Sequence, residues 1–432
     1  ITKKSLKISD FGLQNDMLEM KFYGLGSDGT VSGNKNSIKI IGELSDKFTQ
    51  GFFEYDSKKS GSITISHLRI ADTPIYAPYL IENPSFVAIH NYSFLARYDL
   101  IGNLKQNGVV LLNTALDTSA LVEKLPIDFV NNLKKKNARF YVINAGKIAN
   151  ELGLGNKINV IMQSAFFKIT NILEENKVKK ALADAIRKSY GKKGEEVVQR
   201  NIEAINLGMR QIQEVDVSKL KGKTYEESKA TNSEYYENII KPINALEGNK
   251  LPVSAFSPDG AVPTDTTKFE KRGIGEFCPN WNTEKCIQCG MCALSCPHSA
   301  IKAHLVSEKD LEGAPKDFAT KEATGQKDLK YRLQISPLDC TGCGVCAKVC
   351  PTHALEMKMT GEILEREKEY FSFTERLPKL ENPYPKATPK YLQFEESYFK
   401  YSYACAGCGE TPYIKLATTL FGKNMLIANA TG

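Results

Sequence analysis

Eight cysteines in two matching runs carry the strongest chemical signal in this 432-residue sequence. Each run has the spacing C-x2-C-x2-C-x3-C followed by proline. The short spacings let one loop present three thiolates to an iron–sulfur cubane, while the fourth cysteine is carried onto a helix and reaches a second cubane. The runs consist of Cys286, Cys289, Cys292 and Cys296, then Cys340, Cys343, Cys346 and Cys350.

This crossing predicts two ligand sets for two [4Fe–4S] clusters. One set is Cys286, Cys289, Cys292 and Cys350, and the other is Cys296, Cys340, Cys343 and Cys346. Small residues between the ligands leave backbone N–H groups free to approach cluster sulfurs. Two zinc sites or a disulfide framework are the alternatives, but a zinc ribbon lacks the third C-x2-C step and a disulfide set does not repeat so regularly. Proteins that carry this run pass single electrons.

A third C-x2-C pair, Cys405 and Cys408, follows near the end of the chain. Such a pair can be a redox dithiol, half a zinc site or half a cluster site. With eight cluster cysteines upstream, we predict half of a third cluster, with the other ligands beyond Gly432. The remaining residues of note near the runs are not predicted ligands: Cys278 is expected to be a buried or free thiol, and Trp281, His298 and His353 are expected to be packing or surface residues.

The N-terminal part contains a glycine loop and a lysine pair. A predicted strand at 17–23 leads into G-x-G-x-x-G at 24–29 and then into a predicted helix at 32–44. This order can hold a phosphate at a helix N-terminus, although a simple tight turn explains it equally well. A later loop carries Lys58 and Lys59, which are either a solvated pair or cations for a polyphosphate.

Apolar strand candidates alternate with helical stretches up to about residue 221. This alternation predicts a multidomain α/β plus α+β chain that begins with a doubly wound, mostly parallel sheet. The predicted segments are an α/β domain at 1–221, a linker at 222–280 that includes Glu270-Lys271-Arg272, a two-[4Fe–4S] ferredoxin-like domain at 281–360, a proline-rich linker at 361–402 and the start of another domain at 403–432.

Charge and hydropathy exclude several other classes. The formal charge of +7 counts the cysteines as neutral, and the lysines are scattered, so no nucleic-acid partner is expected. No apolar run approaches the ~18 residues of a membrane span, and no signal peptide is seen. An oxygen-sensitive cysteine pattern suits a reducing cytoplasm. Ile1 and Gly432 are both expected to be cuts in a longer polypeptide.

The order of motifs resembles the later portion of the pyruvate:ferredoxin (flavodoxin) oxidoreductases over essentially the whole chain. GLGSDGTV, NKNSIKIIG, YDSKKSG and SHLR resemble the family's gamma-type domain, and LPVSAF and FEKRG resemble its Glu-Lys-Arg (EKR) segment. YACAGCGETPY and IANATG resemble the opening of its thiamine diphosphate domain. The family's first two domains and its magnesium- and diphosphate-binding part have no counterpart here.

The resemblance implies an oxidative decarboxylation in which pyruvate, coenzyme A and oxidised ferredoxin give acetyl-CoA, carbon dioxide and reduced ferredoxin. Thiamine diphosphate with magnesium would do the carbon chemistry in the complete enzyme. Cys405 and Cys408 would bind part of a proximal cluster, and the two other clusters would lead to ferredoxin or flavodoxin. Coenzyme A would be bound through Gly26, Ser27, Lys58 and Lys59. The resemblance also implies a homodimer, with the missing domains as further partners, and assigns no catalytic residue to this chain.

A competing hypothesis is an iron–sulfur electron-transfer subunit of a nucleotide-dependent oxidoreductase. The glycine loop would then hold a dinucleotide, and an acidic residue about 20 residues further on would bind the ribose. Glu54 lies beyond that distance, and the basic loop after it suits a more phosphorylated ligand. A cluster-storing inactive fragment is a third possibility, and the identity of the 2-oxoacid is left open.

Overall fold

The computed structural model describes residues 16–26, 28–56, 58, 61–155, 157–225, 233–386 and 388–428. The chain forms two compact units, which are described separately. The N-terminal unit comprises Ile1–Ser57 and Ser62–Ala261, and the C-terminal unit comprises Lys58–Gly61 and Val262–Gly432. The division near residue 261 falls inside the predicted linker at 222–280.

The N-terminal unit is built on a seven-stranded sheet of order β2-β3-β1-β4-β5-β6-β7. Its strands are β1 (Leu18–Leu25), β2 (Phe48–Tyr55), β3 (Ile63–Ala71), β4 (Phe86–Ile89), β5 (Val109–Asn113), β6 (Arg139–Ile143) and β7 (Gln213–Val215). The predicted parallel arrangement holds for β1, β4, β5 and β6.

The sheet is mixed rather than mostly parallel, because β3 pairs antiparallel with both β1 and β2, and β7 pairs antiparallel with β6. The short connection between β2 and β3 explains why these two strands are antiparallel. A parallel pair needs a crossover of a dozen or more residues, whereas a short loop can join only an antiparallel hairpin. Strand spacing alone did not distinguish the two.

Helices cover both faces of this sheet. They are α1 (Thr30–Leu44), α2 (Thr118–Lys124), α3 (Ile127–Lys135), α4 (Ala145–Glu151), α5 (Asn159–Thr170), α6 (Glu175–Tyr190), α7 (Glu195–Arg210) and α8 (Lys241–Asn244). Buried residues of α1 and α4 to α7 pack with Phe86 and Ala88 on one face, and α2 and α3 pack with Val87 and Ile89 on the other. Strands buried on both faces are apolar without alternation, which is why β4 and β5 are continuous apolar runs.

The C-terminal unit repeats one pattern twice, in which a cysteine loop leads into a short helix and then a strand. The helices are α9 (Met291–Ser295), α10 (Val345–Val349), α11 (Thr360–Thr374), α12 (Pro389–Leu392) and α13 (Thr411–Phe421); the strands are β8 (Phe277–Trp281), β9 (Ile301–Val306), β10 (Lys321–Glu322), β11 (Lys330–Ile335) and β12 (Leu355–Met359). Strand β8 pairs with β12, and β9, β10 and β11 form a separate sheet.

Helix α11 makes the second linker shorter than the predicted 361–402. Its buried residues are Ile363, Glu367, Tyr370, Phe373 and Thr374, which recur at helical spacing. The prolines that follow this segment led to the prediction of a linker despite the helical spacing. The other helical turns are short: a π-helix at Tyr236–Ile240 and 3-10 helices at Tyr92–Ala96, Gly191–Lys193, Val217–Lys219, Gly248–Lys250, Val253–Ala255, Thr267–Phe269, Lys309–Leu311 and Gly422–Asn424. None of the helices in the described ranges is both long and apolar enough to cross a bilayer.

Candidate iron–sulfur sites

Two separate cavities in the C-terminal unit divide the eight cysteines of the two runs. The first cavity is lined by Cys286, Cys289, Cys292 and Cys350. The second cavity is lined by Cys296, Cys340, Cys343 and Cys346. Each is small, and its accessible wall is almost entirely apolar. The fourth cysteine of each run therefore lines the cavity of the other run, which is the division that the spacing predicts; ligation itself stays a prediction.

Left-handed backbone at the end of each loop carries the third cysteine into its cavity. Gly290 and Gly344 cap α9 and α10 with φ of 75° and 73°, a region that glycine enters without strain. The residue directly before the second ligand differs between the runs. Gly342 has φ of 70°, whereas Gln288 adopts 57° and is fixed there because its Nε2 donates to Glu322 O at 2.6 Å and its Oε1 accepts from Thr324 N at 2.9 Å.

Backbone amides point at four of the ligand sulfurs. Gln288 N and Gly342 N lie 3.4 Å from the Sγ atoms of Cys286 and Cys340. Ala300 N and Ala354 N lie 3.3 and 3.2 Å from the Sγ atoms of Cys296 and Cys350. Amide donors favour the charged form of a sulfur ligand. The two runs thus repeat one hydrogen-bond pattern as well as one spacing.

Burial makes several of these thiols costly to ionise on their own. It raises the pKa of Cys292 to about 12 and raises the pKa of Cys296 and Cys346. Four neighbouring sulfurs repel one another as thiolates and need a cationic partner, and a cubane iron core is cationic and takes four thiolates. The donor set of each cavity therefore fits a [4Fe–4S] cluster.

Three buried polar atoms without a described partner belong to residues that line the same cavities. They are Trp281 Nε1 at the first cavity, and Thr341 Oγ1 and His298 Nε2 at the second. An indole N–H can only donate, and buried donors normally have an acceptor. Cluster sulfur would supply one. The sequence prediction that Trp281 is a packing or surface residue is therefore incomplete, whereas Nε2 of a neutral His298 whose Nδ1 donates to Ser402 O carries no proton to donate.

Cys278, expected to be a buried or free thiol, is fully buried on β8 and free of any disulfide. It contacts the sulfur of Cys340, and this hydrogen bond raises the pKa of Cys278 and lowers that of Cys340. A non-ligand thiol thus touches one predicted ligand. Only the tertiary structure brings the two together, because 61 residues of sequence separate them.

The third pair lies beside the second cavity. Cys405 is exposed and Cys408 is partly buried. A Cβ added to Gly407, which lies between them in sequence, would be 3.6 Å from Cys343 Cβ and 3.7 Å from Val345 Cγ2. The Cys405–Cys408 loop therefore packs directly on the loop that carries Cys343.

Hydrogen bonds hold the chain before Cys405 against the corner after Cys296. Tyr401 N donates to His298 O at 2.9 Å, and Ser402 Oγ donates to Pro297 O at 3.2 Å. His298 Nδ1 lies 3.0 Å from Ser402 O, so this ring nitrogen is the donor. Two loops that are about 100 residues apart in sequence are thus tied together at the cavity edge.

The glycine loop of the N-terminal unit is closed by its own aspartate. Gly29 has φ of 88°, and a Cβ on Gly24 would lie 2.5 Å from Thr30 Cβ, so both positions need glycine. Asp28 accepts from Thr30 N at 2.7 Å and from Leu25 N at 2.8 Å. The Asp28 carboxylate thus already accepts from the first amide of α1, the position where a phosphate could be held.

The predicted coenzyme A residues are distributed as follows. Gly26 belongs to the N-terminal unit, and Lys58 is grouped with the C-terminal unit. Lys58 Nζ lies 3.4 Å from Glu270 Oε2 and 4.7 Å from the centroid of the Tyr403 ring. Ser27 and Lys59 lie outside the described residues. These positions do not test the assignment, which stays a prediction.

The chain combines a mixed α/β sheet with a unit whose paired cysteine runs fit iron–sulfur clusters. Comparison with known families agrees. Residues 19–211 match the family model "Pyruvate ferredoxin/flavodoxin oxidoreductase", residues 223–275 match "EKR: Domain of unknown function", and residues 285–354 match "4Fe-4S dicluster domain". Over these three segments the chain is similar to the pyruvate ferredoxin/flavodoxin oxidoreductases.

Its relatives are considerably longer. The chain is 48% identical over 419 residues to pyruvate:ferredoxin oxidoreductase of Moorella thermoacetica, a match that covers 95% of this chain and 36% of the relative. It is 42% identical over 442 residues to pyruvate-flavodoxin oxidoreductase of Enterobacter agglomerans, covering 100% and 38%. The chain thus spans little more than a third of these relatives. The structure of the pyruvate oxidoreductase subunit PORC of Thermotoga maritima aligns with 47% of this chain and 100% of its own, at 22% identity and a TM-score of 0.37, too low to support an argument.

Proposed function

We propose that this chain is the electron-relay segment of a pyruvate:ferredoxin or pyruvate:flavodoxin oxidoreductase. The complete enzyme would convert pyruvate, coenzyme A and oxidised carrier to acetyl-CoA, carbon dioxide and reduced carrier. The observation that carries the proposal is the division of eight cysteines into two four-sulfur cavities, with a further C-x2-C loop packed on one of them.

Cys286, Cys289, Cys292 and Cys350 would hold one [4Fe–4S] cluster, and Cys296, Cys340, Cys343 and Cys346 would hold the other. When bound, these clusters accept and donate single electrons. The apolar walls exclude water, and the amide donors to the sulfurs stabilise the more negative, reduced state. Cys405 and Cys408 would contribute two ligands to a third cluster.

The contact between Gly407 and Cys343 suggests an order for the sites. The second cavity adjoins the Cys405–Cys408 loop, so it would be the inner, medial position. The first cavity would then be the outer, distal one. Ile287 in its loop is 57% exposed and would lie on the side that meets ferredoxin or flavodoxin.

The other assignments rest on the family. Residues 1–221 would form the gamma-type domain in a doubly wound arrangement, 222–280 a linker with the EKR segment, 281–360 the two-cluster domain, 361–402 a linker and 403–432 the start of the thiamine diphosphate domain. Thiamine diphosphate and magnesium would be bound outside these residues. Coenzyme A would be bound through Gly26, Ser27, Lys58 and Lys59, and the enzyme would act as a cytoplasmic homodimer.

The dinucleotide hypothesis has less support. The acidic residue it requires would be Glu54, and Glu54 Oε1 already pairs with His67 Nε2 at 2.5 Å. This hydrogen bond with His67 also lowers the pKa of Glu54. A carboxylate held by histidine in this way is a poor candidate for binding a ribose.

Anaerobic reconstitution of the chain tests the relay. Two cubanes predict about eight iron and eight sulfide per chain. On reduction, electron paramagnetic resonance should show two neighbouring paramagnets rather than one. Uptake of zinc in place of iron, or of only half the iron, would contradict the proposal.

A further inference from the structure

The EKR segment matches a family model of unknown function, and its backbone runs against the loop of the second cysteine run. Gly273 N donates to Leu338 O at 2.8 Å. A Cβ on Gly275 would lie 2.7 Å from Cys340 O, so only glycine allows this approach. The segment is therefore in direct contact with the chain that presents Cys340 to the second cavity.

Lys271 connects this loop to the chain before Cys405. Its Nζ pairs with Asp339, whose side chain is 4% exposed, next to Cys340. The same Nζ lies 4.5 Å from the Tyr401 ring centroid and 4.8 Å from that of Phe371. Lys271 has φ of 37°, and a side chain is kept in this strained region only when its surroundings hold it there.

Arg272 makes a second connection of the same kind. It is 6% exposed, and its NH2 donates to Ser402 O at 3.3 Å. Its guanidinium lies 4.6 Å from the centroid of the Tyr403 ring, and Lys58 lies 4.7 Å from it. Glu270 pairs with Lys58. Residues 401–403, just before Cys405, are thus held by two residues of the triplet and, through Lys58, by the third.

These contacts suit a rigid support. A cation over an aromatic ring is held most strongly where water is excluded, and removing one partner of a buried charge is costly. The planar guanidinium fork of arginine is preorganised, so less side-chain entropy is lost per hydrogen bond. Lys271 and Arg272 contact residues beside Cys340 or just before Cys405, and Glu270 contacts Lys58, which lies over the Tyr403 ring.

We propose that the EKR triplet is a clamp that fixes the Cys405–Cys408 loop beside the second cavity. Lys271 and Arg272 act as positioning residues: they set the separation across which electrons pass from the Cys405–Cys408 site to the site of Cys296, Cys340, Cys343 and Cys346. This role rests on the proposed relay. It gives a physical function to a segment that has none assigned.

A distance measurement in the reconstituted full chain tests the clamp. A nitroxide is attached to the exposed Cys405 in a Cys408→Ser background, and its distance distribution to the nearest reduced cluster is measured by pulsed electron paramagnetic resonance. A single narrow distance is expected. Lys271→Gln and Arg272→Gln should each shift it to longer distances and broaden it. Lys268→Gln is the control, because Lys268 is in the same segment but pairs with Asp265 at the surface.

The possible failures are distinguishable. Full iron content with parent-like distances in both glutamine variants overturns the clamp and leaves the relay standing. A parent chain that never takes up eight iron contradicts the relay instead. If the glutamine variants lose iron, the Arg272→Lys variant is measured instead, because it keeps the buried charge without the guanidinium fork. A distance distribution between those of the parent and a displaced loop supports the clamp. A distribution equal to that of the parent overturns it.

Discussion

At the scale of single residues, the division of the eight cysteines between two cavities could be predicted from the sequence, but only part of the surrounding lining could. The spacing C-x2-C-x2-C-x3-C-P assigns the fourth cysteine of a run, such as Cys296, to the ligand set of the other run. This assignment needs only four cysteines and a proline that are close together in sequence. Thr341 directly follows Cys340 and His298 lies two residues after Cys296, whereas Trp281 reaches the first cavity through tertiary packing. The sequence offered one indication of a role for Trp281: its indole can only donate, and it lies five residues before the first ligand, Cys286.

Trp281→Phe should lower the reduction potential of the cluster in the first cavity. An N–H donor to cluster sulfur favours the reduced, more negative state. If that preference is about 1 kcal/mol, it corresponds to about 40 mV for one electron. A redox titration followed by electron paramagnetic resonance measures it.

Tyr331→Phe is the matched control for Trp281→Phe. Tyr331 lines the same cavity, but its hydroxyl donates to Gln393 Oε1 at 3.1 Å rather than to a cluster sulfur. Its removal should leave the potential closer to that of the parent. Equal shifts in both variants would show a general effect of the cavity wall and not a hydrogen bond from Trp281.

Cys296→Ala should damage the cluster otherwise bound by Cys340, Cys343 and Cys346, and should spare the one bound by Cys286, Cys289 and Cys292. The reason is the crossed division of the two cavities. Iron analysis should give about four iron per chain. The surviving spectrum is then compared with that of Cys350→Ala, which should lose the opposite cluster; identical spectra would refute the crossing.

At the scale of elements, period and composition predicted the central strands and several helices of the N-terminal unit, because their apolar runs are buried on both faces. They missed the antiparallel β2–β3 pair, whose direction is set by a loop too short for a crossover. They also missed α11, whose buried face is hidden among charged residues. Hydrophobic spacing alone predicts neither the antiparallel pair nor α11.

The turn from β1 to α1 predicts a pH dependence. His90 is buried, its Nδ1 lies 2.7 Å from Thr30 Oγ1, and burial lowers its pKa despite the nearby Asp28. The unfolded chain therefore binds a proton more readily than the folded one. Stability should be fully present above the unfolded pKa of about 6.5 and should fall on acidification, by up to about 1.4 kcal/mol per pH unit.

Denaturant unfolding of the full chain at pH 7 and at a more acid pH checks this, with His90→Gln as the comparison. The variant should lose less stability on acidification than the parent, because its amide does not titrate. His304 is partly buried, and desolvation lowers its pKa to about 3, so the parent's total loss includes it. The difference between parent and variant isolates His90, and a difference of zero would contradict the argument.

At the scale of the whole molecule, two groups close to the expected coenzyme A contacts, the first amide of α1 and Lys58, already have partners. Asp28 holds the first amide of α1, and Glu270 holds Lys58. A glycine loop and a lysine pair could be recognised in the sequence, but their internal partners could not. An anion that binds here would have to replace these pairings. The motifs alone therefore do not give its affinity, which has to be measured.

The chain is expected to bind coenzyme A in preference to NAD or NADP, and calorimetric titration with each nucleotide decides this. Coenzyme A carries a 3′-phosphate and a diphosphate, so it presents more anionic charge than NAD to Lys58 and Lys59. Replacing both lysines by Ala should weaken binding by a few kcal/mol, since a charge-assisted hydrogen bond contributes about 1.5–3 kcal/mol. Added salt should weaken it as well if the contacts lie near the surface.

Two further variants separate a phosphate site from general attraction. Lys39→Ala removes an exposed cation of α1 that pairs with Glu43, and it should leave the affinity unchanged. Asp28→Asn removes the negative charge from the glycine loop, so it should strengthen binding if a phosphate approaches Gly26 and Ser27 and should have no effect if the loop is only a turn. Tighter binding of NAD, or indifference to loss of Lys58 and Lys59, would favour the dinucleotide hypothesis, because neither result is compatible with recognition through the additional phosphate.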